Sequence, residues 1–401
     1  GCEASMAPGA RETAAGPQRR FDLGRPATLC PLRAARTGGG QVGGRVDKVQ
    51  SRLMSVDYLR VVLAIFVVVA HSGLGRETLR AAGDTGLLGL AAGNSILRVA
   101  VPVFALIAGY YLASTLRRGR LSDWVGHLLV LYAAWSAVYL LFLWFYYANR
   151  PIALTATELT LGFMHLWFLQ GLAISGILLA ASAAMGRGAV IASAVLLGGA
   201  GLALQYLRMT GQADIPVEHY RNGPLYLYPY LAMGWLMALH PPRLPVAVLW
   251  AAVAAGLALT MAENIWWLRR IGEEPLLEIP VGHLLLCPAL FALVLRMPAP
   301  STDLPLGRAA AGIYVMHVIV LQGLPQLGVA HPLPGVVLGV AVPFLLVWGA
   351  SLLGATAGCR GCSRRSRIRP ETPAGSAGSA ARSGPDRVRR TAPCWCPALC
   401  G

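Results

Sequence analysis

Apolar residues run in ten long blocks, at about 57–75, 95–114, 124–147, 164–184, 188–207, 223–239, 244–262, 280–297, 307–324 and 334–357. Each lies near the ~20 residues that carry a helix across a bilayer core. Clusters rich in Arg, Gly and Pro separate them, among them Arg117-Arg118-Gly119-Arg120, Asn149-Arg150-Pro151, Pro241-Pro242-Arg243 and Pro298-Ala299-Pro300. Such clusters break helices where a chain turns in water. The blocks are continuous rather than alternating, which excludes the short dyad-repeat strands of a membrane barrel. The pattern predicts an all-α integral membrane protein with about ten transmembrane helices. The first block has no small-residue cleavage site and reads as a retained span rather than a signal peptide. No internal repeat is evident, which weighs against an inverted-repeat transporter.

Composition agrees with this and excludes a soluble domain. Of 401 residues, 56% are hydrophobic and 13% charged, against about 25% charged in soluble domains. The net charge of +16 suggests nucleic acid until it is located. Most of the surplus lies in residues 1–53 and 359–401, leaving +4 for 54–358. Those flanks carry no aromatic interleaving of the kind that stacks bases, so a nucleic-acid partner is not expected, whereas anionic lipid is compatible with them. Both flanks are rich in Gly, Ala, Pro, Ser and Arg without apolar periodicity. They are expected to be disordered or non-native, the native chain starting at Met54 and residues 359–401 reading through a shifted frame or past the natural end. Seven of the eight cysteines sit there too. Cys359-x-x-Cys362 has no second pair at zinc spacing, and no metal site is expected. Short-loop arginines divide evenly between the two sides. The densest group, Arg117, Arg118 and Arg120, decides for an N-terminus inside.

Ionisable residues inside spans are costly and mark function. The first block begins Asp57-Tyr58-Leu59-Arg60 and reaches His71 near its end. Arg60 and His71 are eleven residues apart, close to three full helical turns, so they share one face about 16 Å apart. Asp57, three residues before Arg60, is placed to pair with it. It lies about 21 Å from His71 along the axis and cannot orient that imidazole. From position alone, Asp57 and Arg60 read equally well as a snorkelling pair, and His71 as an interfacial residue. Glu158 and Glu263 lie on the side of His71, but each reads better as a solvated loop charge. Trp167 alone reads as interfacial aromatic belt. His317 within the ninth block needs a cavity to face.

Several stretches together suggest a family. Arg60 and His71 with ten residues between them lie within Asp57-Tyr58-Leu59-Arg60-Val61-Val62. There follow Val101-Pro102-Val103-Phe104 through Gly109, His165-Leu166-Trp167-Phe168-Leu169, and Gly312-Ile313-Tyr314-Val315-Met316-His317. In this order, over roughly 55–357, they resemble the acyltransferase family 3 membrane proteins, closest to the branch acting on surface polysaccharides. The family usually carries Ser where this chain has Ala108. The resemblance implies acyl transfer, usually of acetyl from acetyl-CoA, to a sugar hydroxyl of a polysaccharide or lipid-linked precursor. Acyl-CoA would be a co-substrate, with no resident cofactor. His71 and Arg60, with Asp57, would form the catalytic group. Arg117, Arg118 and Arg120 would handle the donor. His165, Trp167, Tyr314 and His317 would line the acceptor cavity.

The chemistry suits these residue types. A sugar hydroxyl becomes a nucleophile when a base of pKa near 7 takes its proton, and His is the natural choice. Guanidinium groups bind the phosphates of CoA through charge-assisted bonds, although positive-inside anchoring explains the same cluster equally well. Arg60 would steady the donor or the developing oxyanion. Delivery of the acyl group by the pantetheine arm and relay through an acyl-enzyme both remain open. The expected location is the plasma (inner) membrane. The rival reading is a transporter or exporter, with Arg60, Arg98 and His71 lining its path.

Overall fold

The computed structural model describes residues 41–329 and 331–365, and side chains for 54–329 and 331–353. Contacts divide the chain into two units, Gly1–Arg45 and Val46–Gly401. Of the first, only its last five residues, which are helical, are described; the fold below is that of the second. The helices in chain order are α1 (Gln41–Ser72), α2 (Arg76–Ala81), α3 (Gly83–Leu97), α4 (Ala100–Arg117), α5 (Leu121–Phe142), α6 (Trp144–Tyr147) and α7 (Ile152–Leu161). Then come α8 (Trp167–Ala184), α9 (Arg187–Met209), α10 (Tyr228–Leu239), α11 (Val246–Ile271), α12 (His283–Val294), α13 (Leu306–Gln326) and α14 (Pro332–Arg365). No strand occurs among the described residues. Helix formation satisfies every mid-segment N–H and C=O internally, which a bilayer requires.

Eight stretches among the described residues are long and apolar enough to cross a membrane: 54–72, 83–117, 121–142, 152–184, 187–209, 246–271, 306–326 and 332–353. The chain is therefore an all-α membrane protein. Two of the ten expected blocks fold differently. Block 223–239 opens with a π-turn (Gly223–Leu227) capped by Asn222, whose Oδ1 accepts from Leu225 N at 2.9 Å, before the twelve-residue α10. Block 280–297 holds only the twelve-residue α12. Both are largely buried by neighbouring helices, and a buried helix is apolar whether or not it meets lipid. Of the flanks, 1–40 and 366–401 lie outside the described residues. α1 begins at Gln41, ahead of the boundary expected at Met54, and α14 runs past 358 to Arg365.

The packing is that of helices in lipid. Outward faces are apolar: Phe145 is 90% exposed and Leu141 73%. Polar side chains turn inward, including Gln205, Thr260 and Asn264. Small residues let backbones touch where hydrophobic burial gives no drive. α4 and α10 are the clearest case. A Cβ at Gly109 would stand 1.9 Å from the Leu231 carbonyl oxygen, and one at Gly234 would stand 2.0 Å from that of Leu106. α13 positions the functional region. Its Ala310 and Ile313 pack on Ala64 and Val68 of α1. Its Val315 and Val318 pack with Phe163, Leu166 and Leu169 at the start of α8.

Candidate active site

Three imidazoles meet where α1, the entry to α8, and α13 converge. The rings of His71 and His317 are 5.1 Å apart, those of His165 and His317 4.9 Å, and those of His71 and His165 6.4 Å. His71 Nδ1 lies 2.8 Å from the carbonyl oxygen of Val67, one turn back on its own helix. A carbonyl only accepts, so Nδ1 carries a proton, and in the neutral ring Nε2 keeps its lone pair. His317 is set the same way: its Nδ1 donates to Tyr314 O at 2.8 Å, and its buried Nε2 has no hydrogen-bond partner among the described residues. His165 is buried with neither ring nitrogen partnered among them. No group of three His, Cys, Asp or Glu among the described residues is arranged to hold a metal ion.

Local backbone puts His165 there. A 3-10 turn, Met164–Leu166, precedes α8, and Met164 takes φ 49°. A left-handed conformation at a residue with a side chain costs about 1–3 kcal/mol and persists only where the surroundings impose it. Here Tyr314 Oη donates to the His165 carbonyl, and the Tyr139 ring stands 5.1 Å from the imidazole. Tyr139 Oη is itself fixed on Val315 O at 2.8 Å.

His71, His165, Trp167 and Tyr314 line one cavity of about 350 Å³. His317 lies behind His71, fully buried and off the cavity wall. The Trp167 ring is stacked on Tyr226 with centroids 6.2 Å apart and planes 17° apart, and the Arg221 guanidinium lies 5.5 Å over it. The aromatic-belt reading of Trp167 therefore gives way to a cavity wall.

The cavity floor holds charges of which sequence reasoning missed Arg221 and Glu278 and gave Arg98 only to the rival transporter reading. Arg98, which ends α3, donates through Nη1 to Glu278 Oε2 and through Nε to Asn94 Oδ1. Arg221 Nη1 donates to Glu278 Oε1 at 3.3 Å. Glu278 lies in the segment between α11 and α12. Gln205 pins that segment, accepting from Glu278 N at 2.9 Å and from Ile279 N at 2.7 Å. Burial pushes the Glu278 carboxyl up, but Arg98 and Arg221 outweigh it and hold it below its ordinary range. The signal for Arg98 was in the sequence, since it falls inside an apolar block. Nothing local marks Glu278 or Arg221, which read as loop charges.

The start of the span 54–72, three turns back along α1 from His71, carries a separate pair. Arg60 Nη1 donates to Asp57 Oδ1 at 3.0 Å, and its guanidinium lies 5.0 Å over Tyr111. Gly307, near the start of α13, closes over this pair: a Cβ there would stand 3.1 Å from Asp57 Oδ1 and 3.2 Å from Arg60 Nη1. Neither residue borders the cavity at His71. Arg117 and Arg118 are exposed, and Arg120 Nε donates to Asp123 Oδ2 at 2.9 Å. The two carboxylates expected in loops lie within helices instead, Glu158 in α7 and Glu263 in α11, and neither reaches His71. Glu158 pairs with Arg150 at 2.8 Å, and Glu263 accepts from Tyr206 Oη at 2.5 Å and Val281 N at 2.8 Å. The group that orients His71 is the Val67 carbonyl, not a carboxylate.

A family model described as an acyltransferase domain matches residues 54–359, three quarters of the chain. The chain belongs to acyltransferase family 3. No curated protein and no solved structure matches this acyltransferase. The match covers every residue of the imidazole cluster, the cavity floor and the Asp57–Arg60 pair.

Proposed function

We propose that this membrane acyltransferase moves an acyl group, acetyl in the first instance, from cytosolic acyl-CoA to a hydroxyl of an envelope or surface glycan. One observation carries the reading: the Nδ1–H of His71 is held by Val67 O, which leaves Nε2 basic on a side chain lining an aromatic-walled cavity. In the proposed step Nε2 takes the acceptor hydroxyl proton as the oxygen attacks the thioester carbonyl. The tetrahedral intermediate collapses with loss of the CoA thiolate, and the imidazolium returns its proton to that sulfur. The ester and the free thiol leave, and His71 is neutral again.

The plasma membrane and an N-terminus inside would set His71 toward the outer face and the Asp57–Arg60 pair toward the cytosol. Arg60, about 16 Å from His71 along α1, would steady the donor arm, with Asp57 fixing its guanidinium. Arg117, Arg118 and Arg120 would take the CoA phosphates. His165, Trp167 and Tyr314 would bound the acceptor, with His317 backing the base.

Cells expressing the chain, wild type beside His71→Ala and His71→Gln, test this by mass spectrometry of their glycans for base-labile acetyl ester. Removal of a general base lowers transfer about 10²–10⁴-fold, so ester is expected with wild type and not with either variant. Ester at wild-type level in both variants would remove His71 from the role.

A further inference from the structure

The cavity floor carries more positive than negative charge, and the excess is localised. Of the other charged residues that border the cavity, Arg76 and Glu273 offset each other, and Arg80, which also feels Glu77 and Glu274, holds Glu273 through two bonds of 2.6 and 2.9 Å. On the floor two guanidiniums share one carboxylate, Glu278. Arg98 makes the closer contact through Nη1 and also donates to Asn94 through Nε, so both of these nitrogens are engaged. Arg221 makes only the longer 3.3 Å contact, and its buried Nε has no hydrogen-bond partner among the described residues. Its position is nevertheless fixed, by the Trp167 face on one side and Glu278 on the other. A preorganised guanidinium with unused donors, in a partly desolvated cavity, is built to take a planar anion through paired hydrogen bonds.

Resting on the reading above, we propose that Arg221 recognises an anionic group on the acceptor, so that the preferred substrate is an acidic sugar or phosphosugar rather than a neutral glycan. The anion would complete a floor of two cations and two anions. The sugar ring would then lie against Trp167, its hydroxyl turned toward the wall that carries His71. A neutral sugar would leave the surplus cation without a counter-charge, which is how a site rejects a near-isosteric competitor.

The test is ligand binding by saturation-transfer NMR to the full chain in lipid nanodiscs, with no acyl donor present. The probes are methyl glucuronoside, glucose 1-phosphate and methyl glucoside. Wild type is expected to bind at least one anionic probe about 10- to 100-fold more tightly than methyl glucoside, the range for a hydrogen-bonded charged group. Arg221→Gln should bring that preference close to unity and Arg221→Lys should restore part of it. His71→Ala should keep it, so a failure of the base assignment is read separately, in the transfer assay. Preference for glucuronoside would identify a carboxylate acceptor, and preference for the phosphate a phosphosugar. Equal binding of all three probes, binding of none, or a preference that survives in Arg221→Gln would overturn the proposal.

Discussion

Replacing Glu278 by Gln keeps the shape of the side chain and removes its charge. The backbone anchors on Gln205 use the Glu278 and Ile279 amides, not the carboxylate, so the loop keeps its tether. What is lost is the counter-charge to Arg98 and Arg221, whose side chains are 20% and 32% exposed beside a carboxylate that is 7% exposed. Breaking a buried ion pair by removing one partner costs about 3–5 kcal/mol, because a charge is stranded. Arg221 is discounted for its access to solvent, which puts the expected loss at about 2–4 kcal/mol. In thermal unfolding of the detergent-solubilised protein this is a fall in Tm on the order of 5–10 °C. The pH dependence has a definite sign. The folded-state pKa of Glu278 lies below its unfolded value, so its contribution is present above the ordinary carboxylate range. It is lost as pH falls through the lowered folded value. Wild type should therefore lose Tm below about pH 4.5 more steeply than Glu278→Gln, the unfolded carboxylate setting the upper edge. Adding Arg98→Met should recover part of the loss by removing a stranded cation. A Glu278→Gln protein melting within about 2 °C of wild type, the shift expected from about 1 kcal/mol or less, with an unchanged acid profile, would refute the reasoning.

Two further substitutions probe packing and placement. Gly234→Ala sets a methyl 2.0 Å from the Leu106 carbonyl oxygen, a backbone atom that cannot swing aside. It should cost more than about 3 kcal/mol and show as loss of the monodisperse peak in fluorescence size-exclusion. Gly307→Ala meets Asp57 and Arg60 at 3.1 and 3.2 Å, where side chains can yield by a few tenths of an ångström. It should leave Tm nearly unchanged while lowering transfer about tenfold through the displaced pair. Wild-type transfer by Gly307→Ala would separate the pair from the reaction.

Much of this fold was legible because a bilayer imposes one simple rule, and hydropathy reports it directly. The rule does not distinguish lipid-facing from protein-facing apolar residues, and α10 and α12 therefore looked like full spans. Helical periodicity also related Arg60 to His71, since both sit on one unbroken helix. It had no means of bringing His165 to His71, because their meeting depends on the backbone turn at Met164 and on packing against α13. Arg98, Arg221 and Glu278 are far apart in sequence and sit at helix ends or in connecting segments. Their burial follows from each other and from Gln205, so none is recognisable alone. Arg98 comes closest, as a cation inside an apolar block. Trp167 taken alone was ambiguous for a related reason: a tryptophan at a helix start fits a membrane interface and a cavity wall equally well until its neighbours are known, and only the family resemblance placed it at the cavity.

The hydrogen bond from His71 to Val67 stays within a single turn of one helix. The residues beneath the cavity come from elsewhere, from the end of α3 and from the segments before α10 and α12. Under the proposed function, reactivity and taste are thus written in different parts of the chain. Those segments can drift, lengthen or exchange charges without disturbing which nitrogen holds the proton. Under that function, a lineage retargets the enzyme to a new acceptor by editing its connectors, while the helix that carries His71 is inherited intact.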